Sequence, residues 1–197
     1  MKFGSAEFSK PSLLVCTDIF GITPALQAWL TPLTVKPLLL SPYDQMVEFS
    51  DDVTAYQFFT QQGGLTAYQQ KLQQYLAQQQ GPLVVLGFSA GAAVLWSAMA
   101  IGAQGQHGSQ LRQAWLFYGG QIRLQPQLQP CCPTKLIWSQ ESHFDVAALH
   151  QQLSTTNLVD SELTCYAHGF INPASQGYHP EAAAHYQRWL NRELQEV

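Results

Sequence analysis

Short apolar runs alternate with longer segments of helical periodicity, and this alternation narrows the fold more than any other feature of the 197-residue chain. The runs are Leu13–Thr17, Val35–Leu40, Leu83–Leu86, Ala114–Tyr118, Leu136–Trp138 and Leu163–Tyr166. Most lack the polar–apolar alternation of a strand with one wet face. A strand that is apolar on both sides must be covered on both sides, as in a parallel sheet with helices above and below. The segments between the runs carry helix signals. Thr23-Pro24 reads as an N-cap followed by proline at the first helical position. Leu65, Tyr68, Leu72, Tyr75 and Leu76 form one apolar stripe, which Gly81-Pro82 ends. Ala90–Ile101 is apolar nearly all round, Asp145 precedes a helix over Val146–Leu153, and Pro180 opens a last helix through Ala183, Tyr186, Leu190 and Leu194. Right-handed crossovers then give a single α/β domain over residues 1–197, of about six mostly parallel strands with helices on both faces. Residues 43–64 are the least regular stretch and are expected to form a loop or short helices near a site.

Composition excludes several classes. Of the residues, 46% are hydrophobic and 11% are charged, against roughly 25% charged in an ordinary globular chain. A sizeable core is available, which excludes general disorder. With 9 Lys+Arg, a formal charge of −4 and no basic stretch, no nucleic-acid partner is expected. No apolar run approaches the ~20 residues of a membrane span, and Met1–Pro11 lacks the apolar core of a secretory signal. Cys16 and Cys165 lie in apolar runs and read as core thiols. The neighbours Cys131 and Cys132 are poorly placed to bridge each other. No metal-ligand spacing occurs, so neither a metal nor an organic cofactor is expected, and a reducing cytoplasm is the default compartment. A homodimer is left open.

The chemistry concentrates at Gly87-Phe88-Ser89-Ala90-Gly91, a G-x-S-x-G that follows one predicted strand and precedes one predicted helix. In that context the serine sits on a sharp strand-to-helix turn, with its hydroxyl lifted above the sheet at a helix N-terminus. A neutral hydroxyl is a poor nucleophile and needs a base. His168, in Tyr166-Ala167-His168-Gly169-Phe170 after the last run, is the candidate. His107, His143, His150, His179 and His185 read instead as surface or capping residues.

Asp18-Ile19-Phe20-Gly21 after the first run, the Ser89 motif and the His168 motif together resemble the dienelactone hydrolase family of α/β hydrolases. The likeness extends from about Leu13 to Leu190. It implies a three-layer α/β-hydrolase fold in which the first two strands of the usual sheet are missing or reduced; the short chain leaves little room for a large cap domain. The family's usual nucleophile is cysteine; Ser89 in its place moves the expectation from dienelactones toward a general esterase. By motif match, the resemblance implies an oxyanion hole from the backbone N–H groups of Ile19 and Ala90. Asp18 falls where the family has a glutamate near the nucleophile, and it reads equally well as a carboxylate capping a turn.

The acid is less well marked. Aligning His143-Phe144 with the family puts its usual aspartate at Ser142, which carries no charge. Glu141 is the preferred acid, since its longer side chain reaches across one position. Asp145 is the alternative and also suits an N-cap; a Ser–His pair with no acid is the third option. The expected activity is hydrolysis of a small carboxylic ester, thioester or lactone through a Ser89 acyl-enzyme. Two other readings stay open: a catalytically silent hydrolase-fold binding protein, and an acyltransferase using the same pair. Phe20, Phe88 and Phe170 flank the motifs as either pocket or core residues. Arg123 is the nearest cation to them.

Overall fold

The computed structural model describes residues 10–103 and 110–197. Its strands are β1 (Ser12–Cys16), β2 (Leu38–Leu40), β3 (Leu83–Phe88), β4 (Leu111–Phe117), β5 (Thr134–Gln140) and β6 (Val159–Ala167). They form one sheet in the order β2-β1-β3-β4-β5-β6, and every neighbouring pair is parallel. The helices are α1 (Pro24–Leu30), α2 (Asp52–Gln61), α3 (Gly64–Gln78), α4 (Ala90–Ala103), α5 (Val146–Leu153) and α6 (Pro180–Glu196). This is the three-layer α/β architecture that the alternation of runs and helices predicts, and it agrees with the fold that the resemblance implies. Among the described residues no helix is long and apolar enough to cross a membrane.

The strand residues sort cleanly between two apolar layers. In β3, Leu83 and Val85 pack with α3, α4 and α5, while Val84, Leu86 and Phe88 pack with α1 and α6. The same division runs through β1, where Leu14 and Cys16 face one layer and Leu13 and Val15 the other. Leu14, Val15, Val85 and Leu86 are fully buried. Each such aliphatic side chain contributes about 1.5–3 kcal/mol by leaving water. The helices begin where the sequence signals them. Thr23 Oγ1 accepts the Leu26 N–H at 3.0 Å, with Pro24 in the first turn. Asp51 caps α2 inside the irregular stretch 43–64, its Oδ1 accepting the Thr54 N–H at 2.8 Å.

Three local expectations change. β2 pairs only from Leu38, because Pro37 brings no N–H to a ladder. β6 starts at Val159 rather than Leu163, since it is an edge strand with a wet side and its first half is polar. For the same reason Cys165 is exposed rather than a core thiol, whereas Cys16 is buried as expected.

The strand order decides where a ligand can reach the sheet. The chain winds from β1 outward to β2 and then returns to the other side of β1 with β3. The connections after β1 and β3 therefore diverge to opposite faces and leave a crevice beyond the carboxyl ends of those strands. Ile19 follows β1 and Ser89 follows β3, so both sit at this crevice.

Candidate active site

Ser89 occupies the single-residue turn between β3 and α4, with φ +50°. A left-handed conformation at a non-glycine residue costs on the order of 1–3 kcal/mol and persists only where the surroundings impose it. Here they do. The Ser89 N–H donates to the Phe117 carbonyl of β4 at 2.9 Å, and the Ser89 carbonyl accepts the Ala93 N–H at 3.0 Å. The motif's glycines allow the tight crossing: a Cβ on Gly91 would overlap the Cys16 carbonyl of β1, and one on Gly87 would lie 2.7 Å from Ala92 Cα.

His168 arrives from the other side of the crevice. The β5–β6 ladder slips between Trp138 and Gln140, so that Trp138 pairs with Leu163 but Gln140 pairs with Ala167. Two extra residues on β6 thus bulge before the strand ends, and such a bulge re-aims the next side chain. His168 Nε2 lies 2.9 Å from Ser89 Oγ, across 79 residues of sequence. The edge of the Tyr118 ring packs against the imidazole, with ring centres 5.1 Å apart.

Glu141 is the first residue after β5, and it completes the line. Its Oε1 is 2.7 Å from His168 Nδ1 and accepts the Ser139 hydroxyl at 2.7 Å. The Glu141 side chain is only 5% exposed. Burial pushes this carboxyl up, but hydrogen bonding and charge from His168, with lesser help from Ser139 and His143, outweigh it and hold the group below its ordinary value. It is therefore ionised at neutral pH and can only accept. His168 Nδ1 then carries the hydrogen, which leaves the Nε2 lone pair for the Ser89 hydroxyl.

Asp145 stands elsewhere. It caps α5, with Oδ1 accepting the Ala148 N–H at 2.9 Å. Ser142 lies in the cleft wall beside Glu141.

Ile19 and Ala90 both line the cleft next to Ser89. No hydrogen bond among the described residues uses either N–H. The Ala90 amide is one of the first four N–H groups of α4, which have no partner within the helix. Asp18 is almost fully buried. Its Oδ1 accepts the Phe20 N–H at 2.9 Å and its Oδ2 accepts Asn172 Nδ2 at 2.7 Å. Burial pushes the Asp18 carboxyl up to about 6, against the opposing pull of the Asn172 and Phe20 hydrogen bonds.

The cleft around Ser89 has a volume of about 860 Å3, within the range of small-molecule sites. Tyr56 and Phe59 of α2 supply its aromatic wall, and Arg123, Gln140 and His143 also line it. Arg123 is held there by the Gly120 carbonyl at 2.6 Å and by the Phe144 ring, 4.9 Å from its guanidinium carbon. Phe20, Phe88 and Phe170 are buried in the core and do not line the cleft. The remaining histidines divide. His143 is exposed, as expected, and stands at the cleft rim 3.6 Å from Glu141 Oε2. His150 pairs with Ser161, and His179 caps α6. His185 packs edge-to-face with Tyr186, and His107 lies outside the described residues.

Sequence reasoning missed Asp52, whose carboxylate accepts the Ser175 hydroxyl at 2.9 Å and the Gln176 N–H at 3.0 Å. This ties α2 to the loop after His168 and brings the aromatic wall over the cleft. Nothing local in the sequence announces a contact across more than a hundred residues. Among the described residues no group of three or more His, Cys, Asp or Glu side chains could hold a metal.

No protein-family model and no curated protein matches the chain. Solved structures do. A dienelactone hydrolase-like promiscuous phosphotriesterase from metagenomic libraries superposes at TM-score 0.62 and 15% identity, over 95% of this chain and 86% of that one. A Bacillus cereus carboxylesterase matches at TM-score 0.53 and 14% identity, over 94% and 90% of the two chains. Zea mays acyl-protein thioesterase 2 matches at TM-score 0.53 and 16% identity, over 94% of each. At such identities the likeness is one of fold. The structural likeness expected from the three motifs is found: one of these structures is named as dienelactone hydrolase-like.

Proposed function

We propose that the chain is a serine hydrolase acting on small carboxylic esters, thioesters or lactones. The observation that carries this reading is the continuous line from Ser89 Oγ to His168 Nε2 at 2.9 Å and from His168 Nδ1 to Glu141 Oε1 at 2.7 Å. The solved structures of similar fold, named as acting on phosphotriesters, carboxylic esters and acyl-protein thioesters, support the same broad class.

In the proposed reaction His168 Nε2 takes the Ser89 proton as Oγ attacks the acyl carbonyl. The oxygen of the tetrahedral intermediate lies between the N–H groups of Ile19 and Ala90. One such donor is worth about 3–4 kcal/mol in the transition state. The imidazolium, held by Glu141, then protonates the leaving alcohol or thiol. Water activated by the same imidazole attacks the acyl-enzyme and releases the acid. The residues of this sequence suffice without a cofactor.

The silent-protein reading drew its support from a doubtful acid. A buried carboxylate 2.7 Å from Nδ1 leaves it without that support. The acyltransferase reading uses the same groups and differs only in the acceptor. Product analysis with competing alcohols or amines separates transfer from hydrolysis.

The test is incubation of the protein with a fluorophosphonate, followed by peptide mass mapping and turnover of p-nitrophenyl acetate. The expected result is a phosphonyl group on Ser89 and its loss, with turnover, in Ser89→Ala. An unlabelled Ser89, with turnover unchanged in Ser89→Ala, would overturn the proposal.

A further inference from the structure

The turn after β1 is held at more points than its length requires. The peptide group that presents the Ile19 N–H has its carbonyl, on Asp18, bonded to the Gly21 N–H at 3.1 Å and the Thr17 hydroxyl at 3.2 Å. The next peptide is fixed at both ends. The Ile19 carbonyl accepts the Tyr43 hydroxyl at 2.7 Å, and the Phe20 N–H donates to Asp18 Oδ1 at 2.9 Å. Among the described residues the Ile19 N–H has no hydrogen-bond partner, although the peptide groups on either side of it are held. The second carboxylate oxygen, Oδ2, leaves the turn and bonds Asn172 Nδ2 at 2.7 Å, across 154 residues.

Asn172 belongs to the segment that carries His168. Its N–H donates to the Gly169 carbonyl at 2.9 Å, and its Oδ1 accepts the Ala174 N–H at 2.9 Å. Its amide orientation is thereby fixed, with Nδ2 toward Asp18. Both residues are buried, Asp18 to 7% exposure and Asn172 to 5%. A buried carboxylate facing one neutral amide and one backbone N–H is costly to keep, since no cation is hydrogen-bonded to it. A neutral side chain could cap the turn alone. The carboxylate's distinguishing property is that both oxygens accept, so one group can grip two loops at once.

We propose that the Asp18–Asn172 contact is a positioning clamp that holds the Ile19 N–H in register with Ser89 and His168. The clamp rests on the reading of Ser89 as nucleophile and of Ile19 as an oxyanion donor. Neither clamp residue touches the reacting atoms. Asp18 fixes the donor turn, Asn172 fixes the turn after the base, and the bond between them sets the spacing. Catalysis is sensitive to such spacing: a shift of about 1 Å in a donor can cost on the order of 100-fold in rate.

The experiment uses the whole chain with p-nitrophenyl acetate as substrate and a fluorophosphonate as an independent probe of Ser89. The variants are Asp18→Asn, Asn172→Ala and the double variant, each checked for folding by near-ultraviolet circular dichroism. The clamp predicts that each single variant loses about 10- to 100-fold in kcat with KM within about twofold of the parent. It also predicts that the double variant is no slower than the slower single, because both remove one contact. Should Asp18→Asn fail to fold, Asn172→Ala decides, since it leaves Asp18 bonded to Phe20. A parental kcat in Asn172→Ala, or losses that multiply in the double variant, overturns the clamp. An unreactive parent overturns the hydrolase reading and the clamp together; a reactive parent with an undiminished Asn172→Ala overturns the clamp alone.

Discussion

Glu141 meets His168 through a single oxygen: Oε1 is 2.7 Å from Nδ1, while Oε2 points toward His143 at 3.6 Å. The contact is one-sided and the carboxylate is buried. Glu141→Gln keeps the shape but offers an amide, whose N–H can turn toward the ring and favour the wrong tautomer. We expect kcat for p-nitrophenyl acetate to fall by about 100- to 10,000-fold, with the fold retained. Steady-state kinetics on the purified variant checks this. A loss below about threefold would remove Glu141 from the mechanism.

Asp145 should behave in the opposite way. It caps α5 through the Ala148 N–H and does not reach His168. Asp145→Ala is expected to leave kcat within about twofold and to lower stability by about 1 kcal/mol, the usual value of an N-cap. Urea denaturation of parent and variant, alongside the same ester assay, separates the two carboxylates.

Asp18 gives a pH signature in stability. Burial raises its carboxyl to about 6 in the folded chain, against an ordinary 3.8. Folding therefore favours the protonated form. The benefit is complete below the ordinary carboxylate value and is lost as pH rises through about 6. After burial and the Asn172 and Phe20 hydrogen bonds, the charges of His168 (lowering) and Asp52 (raising) act on it; burial raises the nearby phenols of Tyr43, Tyr68 and Tyr118, and the Asp18 charge adds to that in lesser measure. Relative to the parent, Asp18→Asn should gain stability between pH 4 and 6, by on the order of 3 kcal/mol over that window. Urea midpoints at half-unit pH steps measure the difference. A constant offset between the two curves would show that Asp18 does not titrate there.

Tyr56 is 57% exposed yet lines the cleft. An aromatic face left open beside the nucleophile suits a flat apolar portion of a substrate. Tyr56→Ala should raise KM for phenyl acetate by about 2- to 10-fold, corresponding to about 0.5–1.5 kcal/mol of aromatic contact. KM for ethyl acetate should change by less than about twofold. Equal effects on both esters would assign Tyr56 to packing alone.

Residues whose roles are local were readable from the sequence. Ser89 is marked by glycines that the turn itself requires, and His168 by a motif directly after a strand. The layered sheet follows from apolar runs too short for helices. Glu141 was harder, because two carboxylates lie within four residues of each other after β5. Which one meets the imidazole depends on the β6 bulge, a feature of pairing between strands. Asp52 and Asn172 left no local mark, since each acts through a partner more than a hundred positions away. The start of β6 and the exposure of Cys165 were misjudged for one reason: an edge strand has a wet side, and a search for apolar runs finds only its drier half.

The reversal of winding beside β1 separates two duties of the chain. Nearly all the greasy contacts of the described residues lie within the two layers, whereas Ser89 and the exposed side chains around it stand on one rim. Rim segments can be exchanged or resized with little penalty to the scaffold beneath. A library confined to exposed rim positions such as Tyr56, His143 and Gln176, with Ala55, Phe59, Phe170 and Ile171 of the apolar layers kept, should therefore yield new selectivity far more often than it yields collapse.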